Sequence, residues 1–205
     1  MRQINVLTFV SMDGVMQGPG GPEEDTRGDF RHGGWTVGYF DELVGQEMAK
    51  EMGHKFDLLL GRRTYDIFAS HWPKVTEPGA DLGINNARKY VATNRPLATN
   101  WNDTAVRLEG GIAEAVRKLK AESGPELQVH GSGTLIQTLL QHDLVDELWL
   151  KIFPVTIGTG QKLFAGGTRH AGFALTESSA SGSGVIIAKY KRAGEVKAGS
   201  FLAPK

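Results

Sequence analysis

A chain of 205 residues with 23 lysines and arginines against 23 aspartates and glutamates has no global field to recruit nucleic acid or an anionic membrane. At 40% hydrophobic and 22% charged it can bury one real core, which predicts a single soluble domain over residues 1–193 with a polar, fraying tail at 194–205. Cysteine is absent, so disulfides, thiolate nucleophiles, cysteine-built zinc sites and the P-C-x-x-C deaminase signature are excluded. No apolar run reaches the length of a membrane span and no signal peptide precedes the first strand, so a cytoplasmic location is expected.

Residues 3–11 are apolar and rich in β-branched side chains, the pattern of a buried central strand. Ser11-Met12-Asp13-Gly14 ends it in a turn, where Asp13 either bonds its own backbone or orients a substrate at the open end of a sheet. Residues 17–38 are polar and glycine-rich, yet carry Phe30, His32 and Trp35. A loop of that length with aromatics reads as an ordered lid or pocket wall. His32 is simplest as an exposed loop histidine, and the six histidines show no metal-ligand spacing.

Residues 39–52 form an amphipathic helix whose Phe40, Leu43, Val44, Met48 and Met52 recur every three or four positions and belong to the core. The strand 56–60 runs straight into Gly61-Arg62-Arg63-Thr64, the first turn of another helix. Arginines are electrostatically out of place there, because the helix dipole prefers an anion, and a bound phosphate would resolve the conflict. Trp72 and Pro73 close this helix, and residues 76–86 are a polar connection. A third strand at 89–93 ends in Thr93, Asn94 and Arg95, and residues 101–108 suggest an edge strand. A helix at 111–123 presents Ile112, Val116 and Leu119 inward.

Residues 126–136 read as strand, glycine turn and helix. Gly131 and Gly133 flank Ser132, so backbone can approach a ligand closely, and the helix bearing Leu135, Ile136, Leu139 and Leu140 offers its unpaired N–H groups to a phosphate. A long strand follows at 145–155, then a glycine turn at 156–161. A terminal hairpin joins 173–178 to 185–191. Strands alternating with helices and closed by this hairpin define a three-layer α/β fold: a mostly parallel mixed sheet with helices on both faces and an antiparallel hairpin at the C-terminus.

Five segments in this order, S-M-D-G, G-R-R-T-Y-D, V-A-T-N-R, V-H-G-S-G-T-L-I-Q-T-L-L and V-D-E-L-W-L-K-I-F-P-V-T-I-G-T-G, resemble the dihydrofolate-reductase-like superfamily. Within it the chain is most similar to the reductase domain of the bacterial riboflavin-biosynthesis deaminase–reductase, over roughly residues 3–191.

The resemblance implies a reductase that binds NADPH across the ends of the parallel strands. Gly61, Arg62, Arg63 and Thr64 would contact the cofactor phosphates, and Thr93, Asn94 and Arg95 the adenosine 2′-phosphate. Gly131, Ser132, Gly133, Thr134 and Leu135 would cradle the pyrophosphate, with Val10 and Ser11 under the nicotinamide. Asp13 would be the catalytic-site carboxylate. Arg95 favours NADPH over NADH, since arginine is a strong partner for a phosphate dianion.

The nearest implied activity is reduction of 5-amino-6-(5-phosphoribosylamino)uracil by hydride transfer to an imine-like centre. The alternatives are reduction of dihydrofolate or another pteridine or heterocycle, and nucleotide binding without turnover. An acid on the first helix, Asp41 or Glu42, would favour the folate reading. The chain departs from the riboflavin reductases at Leu7, where they commonly carry a lysine. Arg27, Arg31, Lys151 and Arg169 are candidates for a substrate phosphate, plain surface charge being the simpler reading of each. A homodimer paired through the edges of strands 149–155 and 185–191 is expected.

Overall fold

The computed structural model describes residues 1–97, 101–166 and 168–201; residues 202–205 of the expected tail lie outside the described residues. The uninterrupted apolar run near the N-terminus becomes β1 (Ile4–Ser11), buried almost throughout because parallel neighbours flank both its edges. One of these is β5 (Glu126–His130) and the other β6 (Glu147–Phe153). With β2 (Phe56–Gly61), β3 (Lys89–Ala92), β4 (Ala105–Leu108), β7 (Phe173–Ala180) and β8 (Ile186–Arg192), they form one sheet in the order β4-β3-β2-β5-β1-β6-β8-β7. All neighbours pair in parallel except in the terminal hairpin, where β8 runs antiparallel to both β6 and β7.

Period-two alternation divides the apolar side chains between two faces. Leu58 and Leu60 of β2 cluster with Met52 and Tyr65, from α1 (Glu42–Glu51, followed by Met52) and α2 (Arg62–His71). Leu59 joins Val116 and Leu119 of α3 (Ile112–Ala121) and Ile136 and Leu139 of α4 (Gly133–Gln141). Helices therefore cover both faces, as the sequence pattern predicts.

Two expectations shift. The first helix begins at Glu42, not residue 39, because Asp41 stays extended and accepts a hydrogen bond from Val44 N as the N-cap. Phe40 thus precedes the helix and is left 47% exposed, its ring edge-on to Phe9. The strands expected to pair two copies, β6 and β8, have both edges hydrogen-bonded within the sheet; the free edges are those of β4 and β7.

Parallel strands bring the segments after β1, β2, β3 and β5 to one end of the sheet. Those segments are the turns that the sequence marks as polar.

Candidate functional site

The turns after β2 and β5 meet side by side. Gly61, the N-cap of α2, donates its N–H to Ser132 Oγ at 2.9 Å. A Cβ at Gly61 would stand 3.4 Å from the Ser132 Cβ, already in van der Waals contact with the neighbouring turn. Gly131 and Ser132 both adopt left-handed backbone, with φ of 54° and 64°. The serine pays a steric penalty there that glycine does not, which is strain concentrated at a turn leading into a helix. Neither α2 nor α4 has a side-chain cap, so two positive helix ends and their first-turn N–H groups converge on one place.

They open onto a cavity of about 500 Å³, the size of an ordinary ligand site. Gly61, Arg62, Arg63 and Thr64 line it, and so do Gly131, Ser132, Gly133, Thr134 and Leu135. The long loop forms another wall through Gln17, Gly18, Pro19, Gly20, Glu24, Asp25 and Arg27. It is anchored by the buried Phe30 and by Trp35 Nε1, which donates to Gln17 O at 2.8 Å. His32 is exposed, its ring against Phe30.

Thr93, Asn94 and Arg95 do not line the cavity. They follow β3 just beyond α2, and Arg62 Nη1 holds this turn by donating to Pro96 O at 2.7 Å. Thr93 Oγ1 accepts from Arg95 N at 3.1 Å, and the Arg95 side chain is exposed. Arg62 also binds Asp66, whereas Arg27 and Arg63 share the single carboxylate of Asp25. The mouth therefore carries more positive than negative charge on its immediate wall.

Asp13 lies outside the cavity wall as well. Its carboxylate accepts from Ser11 Oγ at 2.6 Å, Ile157 N at 3.0 Å and Gly158 N at 2.8 Å. The Ser11 hydroxyl bond, with the Gly158 and Ile157 N–H groups, holds its pKa down to about 2. A carboxylate so engaged is ionised at neutral pH and fixes the β1 turn onto the turn after β6. Ser11 and Val10 are buried, and Leu7, Thr8 and Phe9 are the β1 residues that reach the cavity.

At the inner end the wall carries Lys151, a phosphate candidate from the sequence, together with Glu51, which the sequence pattern did not mark. Glu51, the last residue of α1, forms a buried ion pair with Lys151 in the middle of β6. Burial raises the carboxyl pKa and lowers that of the ammonium, each opposed by the partner's charge. Lys151 is no surface charge. Gln128 Nε2 donates to Glu51 O at 2.9 Å, and Gln128 Oε1 meets His130 Nε2 at 3.1 Å. Burial, then the Lys151 charge, push His130 down to about 3, so the imidazole is neutral. Of the other cations proposed from sequence, Arg31 is exposed and Arg169 binds Glu195 away from the cavity.

Neither Asp41 nor Glu42 reaches the cavity. Asp41 caps α1 and accepts from Ser183 N at 3.0 Å, and Glu42 binds Gln46. The acid of the first helix that does line it is Glu51. Among the described residues, no cluster of three histidine or acidic side chains suits a metal, and no helix is long and apolar enough to cross a membrane.

A mostly parallel sheet closed by an antiparallel hairpin, with a cavity at its glycine-turn end, defines the dihydrofolate-reductase-like fold. The chain belongs to the RibD C-terminal domain family, whose model matches residues 2–187. It resembles the crystal structure of a protein from Shewanella sp. PV-4 assigned to riboflavin biosynthesis, with 22% identity and a TM-score of 0.70 over 93% of this chain and 99% of that one. Dihydrofolate reductase from Enterococcus faecalis, complexed with NADP(H) and RAB-propyl, aligns at 13% identity and a TM-score of 0.59, covering 93% and 96% of the two chains. Uncharacterized protein YyaP of Bacillus subtilis (strain 168) is 28% identical over 193 residues, 92% of this chain and 94% of the relative. Family and fold together support a reductase of this superfamily.

Proposed function

We propose that the protein is an NADPH-dependent reductase of a small heterocyclic compound with a C=N or imine-like centre. The observation that carries this reading is the convergence of two uncapped helix N-termini and their glycine turns on one cavity. That arrangement suits a pyrophosphate, because backbone N–H groups and helix dipoles reach it with no Cβ between. Gly131, Ser132, Gly133, Thr134 and Leu135 would hold the pyrophosphate, Gly61 to Thr64 the neighbouring phosphates, and Thr93, Asn94 and Arg95 the adenosine 2′-phosphate. We place the nicotinamide against Leu7, Thr8 and Phe9 rather than Val10 and Ser11, since the former three are the β1 side of the wall.

When bound, NADPH would supply hydride to an electrophilic carbon. The chain's part is to position the two partners and exclude water from them. Asp13, ionised at neutral pH, has no proton to give; its part is to keep the β1 turn in place. The nearest activity within the family is reduction of 5-amino-6-(5-phosphoribosylamino)uracil. Reduction of a pteridine such as dihydrofolate is the second reading, favoured by the α1 carboxylate of Glu51 in the cavity.

The test is NADPH titration by nicotinamide fluorescence, then loss of nicotinamide absorbance with each of these two substrates. Binding with substrate-dependent oxidation supports the reading. Binding without turnover leaves a nucleotide-holding protein, and no binding of NADPH overturns the reading.

A further inference from the structure

The imidazole of His130 has one nitrogen to spare. His130 ends β5, lines the cavity and keeps part of its surface free. Its tautomer follows from the hydrogen bonds behind it. Gln128 Nε2 donates to Glu51 O at 2.9 Å and to Glu126 Oε1 at 2.7 Å, both of them acceptors, so the Gln128 amide has one orientation. Gln128 Oε1 is therefore the acceptor that faces His130 Nε2 at 3.1 Å, and that ring nitrogen carries the proton. The ring is neutral, which leaves Nδ1 as a bare lone pair. Nδ1 has no hydrogen-bond partner among the described residues, yet it is not sealed in: the fully buried side-chain polar atoms without a partner there are Asn5 Oδ1 and Glu51 Oε1. Nδ1 thus keeps accessible surface, in a residue that forms part of the cavity wall.

We propose that His130 Nδ1 accepts a hydrogen bond from an amino group on the substrate ring, so that the cavity selects an amino-bearing heterocycle over one with a carbonyl or a methyl group at that place. The inference rests on the reductase reading and narrows its substrate. A carbonyl oxygen there would set lone pair against lone pair, and a methyl group would leave the ring nitrogen desolvated and unpaired. A cationic group is opposed by the Lys151 ammonium, whose charge already works against a proton on His130. A sugar hydroxyl also donates, but the surroundings suit a flat ring. Phe68 has its ring centre 6.2 Å from the imidazole and 6.0 Å from the Trp72 ring, and Met48 and Met52 belong to the same wall. The backbone holds the imidazole in place: Leu7 of β1 is its partner across the sheet, and the Ser132 hydroxyl donates to His130 O at 3.2 Å.

The full-length protein would be titrated by calorimetry at neutral pH with 2-aminoquinazoline and with 2-methylquinazoline, with and without NADPH. The two probes are uncharged and nearly equal in size; the amino group donates hydrogen bonds and the methyl group does not. The expected result is that wild type binds the amino compound at least about fivefold more tightly. In His130→Leu the preference falls below about twofold, while NADPH affinity stays within about twofold of wild type. His130→Gln loses the preference as well, because its amide takes the place of Nε2 and sets nothing at Nδ1. His130→Asn, whose amide oxygen reaches the place of Nδ1, keeps it. A purely structural role would lower the unfolding midpoint of all three variants without separating the asparagine from the glutamine. Equal affinity of wild type for the two probes, failure to bind either, or a preference that survives in folded His130→Leu would overturn the proposal. If His130→Leu does not fold, the wild-type comparison still decides. Absence of the preference with NADPH binding intact sinks this proposal alone, whereas a wild type that binds no NADPH sinks the reductase reading.

Discussion

The two ends of the cavity are built from the same strands by different means. At the mouth, groups close in sequence do the work: Gly61 to Thr64 is one turn of chain, and so is Gly131 to Leu135. Their polar atoms are backbone N–H groups at helix starts without side-chain caps, open to an incoming anion. At the inner end the groups come from distant positions, with Glu51 and Lys151 separated by 100 residues and Gln128 and Glu51 by 77. They are paired with one another already and sum to no charge. The mouth suits a charged ligand held by backbone, whereas the inner end is closed by a buried pair already formed within the protein.

The largest effect is expected at the inner end. Lys151→Ala leaves Glu51 buried without its partner and should cost about 3–5 kcal/mol in urea unfolding, whereas Glu51→Leu/Lys151→Met should restore most of it. A small loss in the single variant would show that water reaches the pair and that the two ends do not differ in burial. Next is the mouth. Arg63→Ala should weaken NADPH about tenfold, as read by nicotinamide fluorescence, with the unfolding midpoint unchanged. A reversed pattern, stability lost and affinity kept, would make that turn structural.

Acid sharpens the contrast further. His130 has a folded pKa of about 3 against an ordinary value of 6.5, so between these values the unfolded chain binds the extra proton. Stability then rises with pH across that window and is lost on acidification from 6.5 downwards. The melting temperature should fall in the window, and His130→Gln should flatten the slope. An unchanged slope in the variant would assign the acid sensitivity to other groups. The smallest effect is expected for Asp13→Asn. The carboxylate's depressed pKa contributes stability above 3.8 that is lost as pH falls through about 2. The variant should melt lower at neutral pH, with NADPH affinity within about twofold because Asp13 does not line the cavity. A larger loss of affinity would place the turn at the cofactor.

The same contrast explains what was legible in the sequence. Strand order aside, the alternation of apolar strands and amphipathic helices reads directly as a layered α/β fold, and glycines at strand-to-helix junctions mark the mouth. On β1 the residues that line the cavity are Leu7, Thr8 and Phe9, while the sequence points to Val10 and Ser11; a continuously apolar strand carries no period to show where a cavity touches it. Asp13 and Gly131 look equally functional as turn residues. They differ in satisfaction: the Asp13 carboxylate is taken up by Ile157 and Gly158 N–H groups from a turn 144 or 145 residues away, which local pattern does not reveal. Lys151 had one legible sign, a charge between Leu150 and Ile152 in an apolar run. Its partner Glu51 had another, an acid on the same helix face as Met48. Joining the two requires the packing of α1 on β6, a long-range fact.

The most direct test of the account is a parallel titration of wild type and Arg95→Ala with NADPH and NADH. NADPH should bind tightly to wild type and weaken by more than about tenfold in the variant, with NADH affinity little changed, since the Arg95 guanidinium would meet the 2′-phosphate that NADH lacks. Equal weakening for both nucleotides, or none for either, would contradict the assignment of the β3 turn to the 2′-phosphate; absence of nucleotide binding in wild type would contradict the cofactor site as a whole.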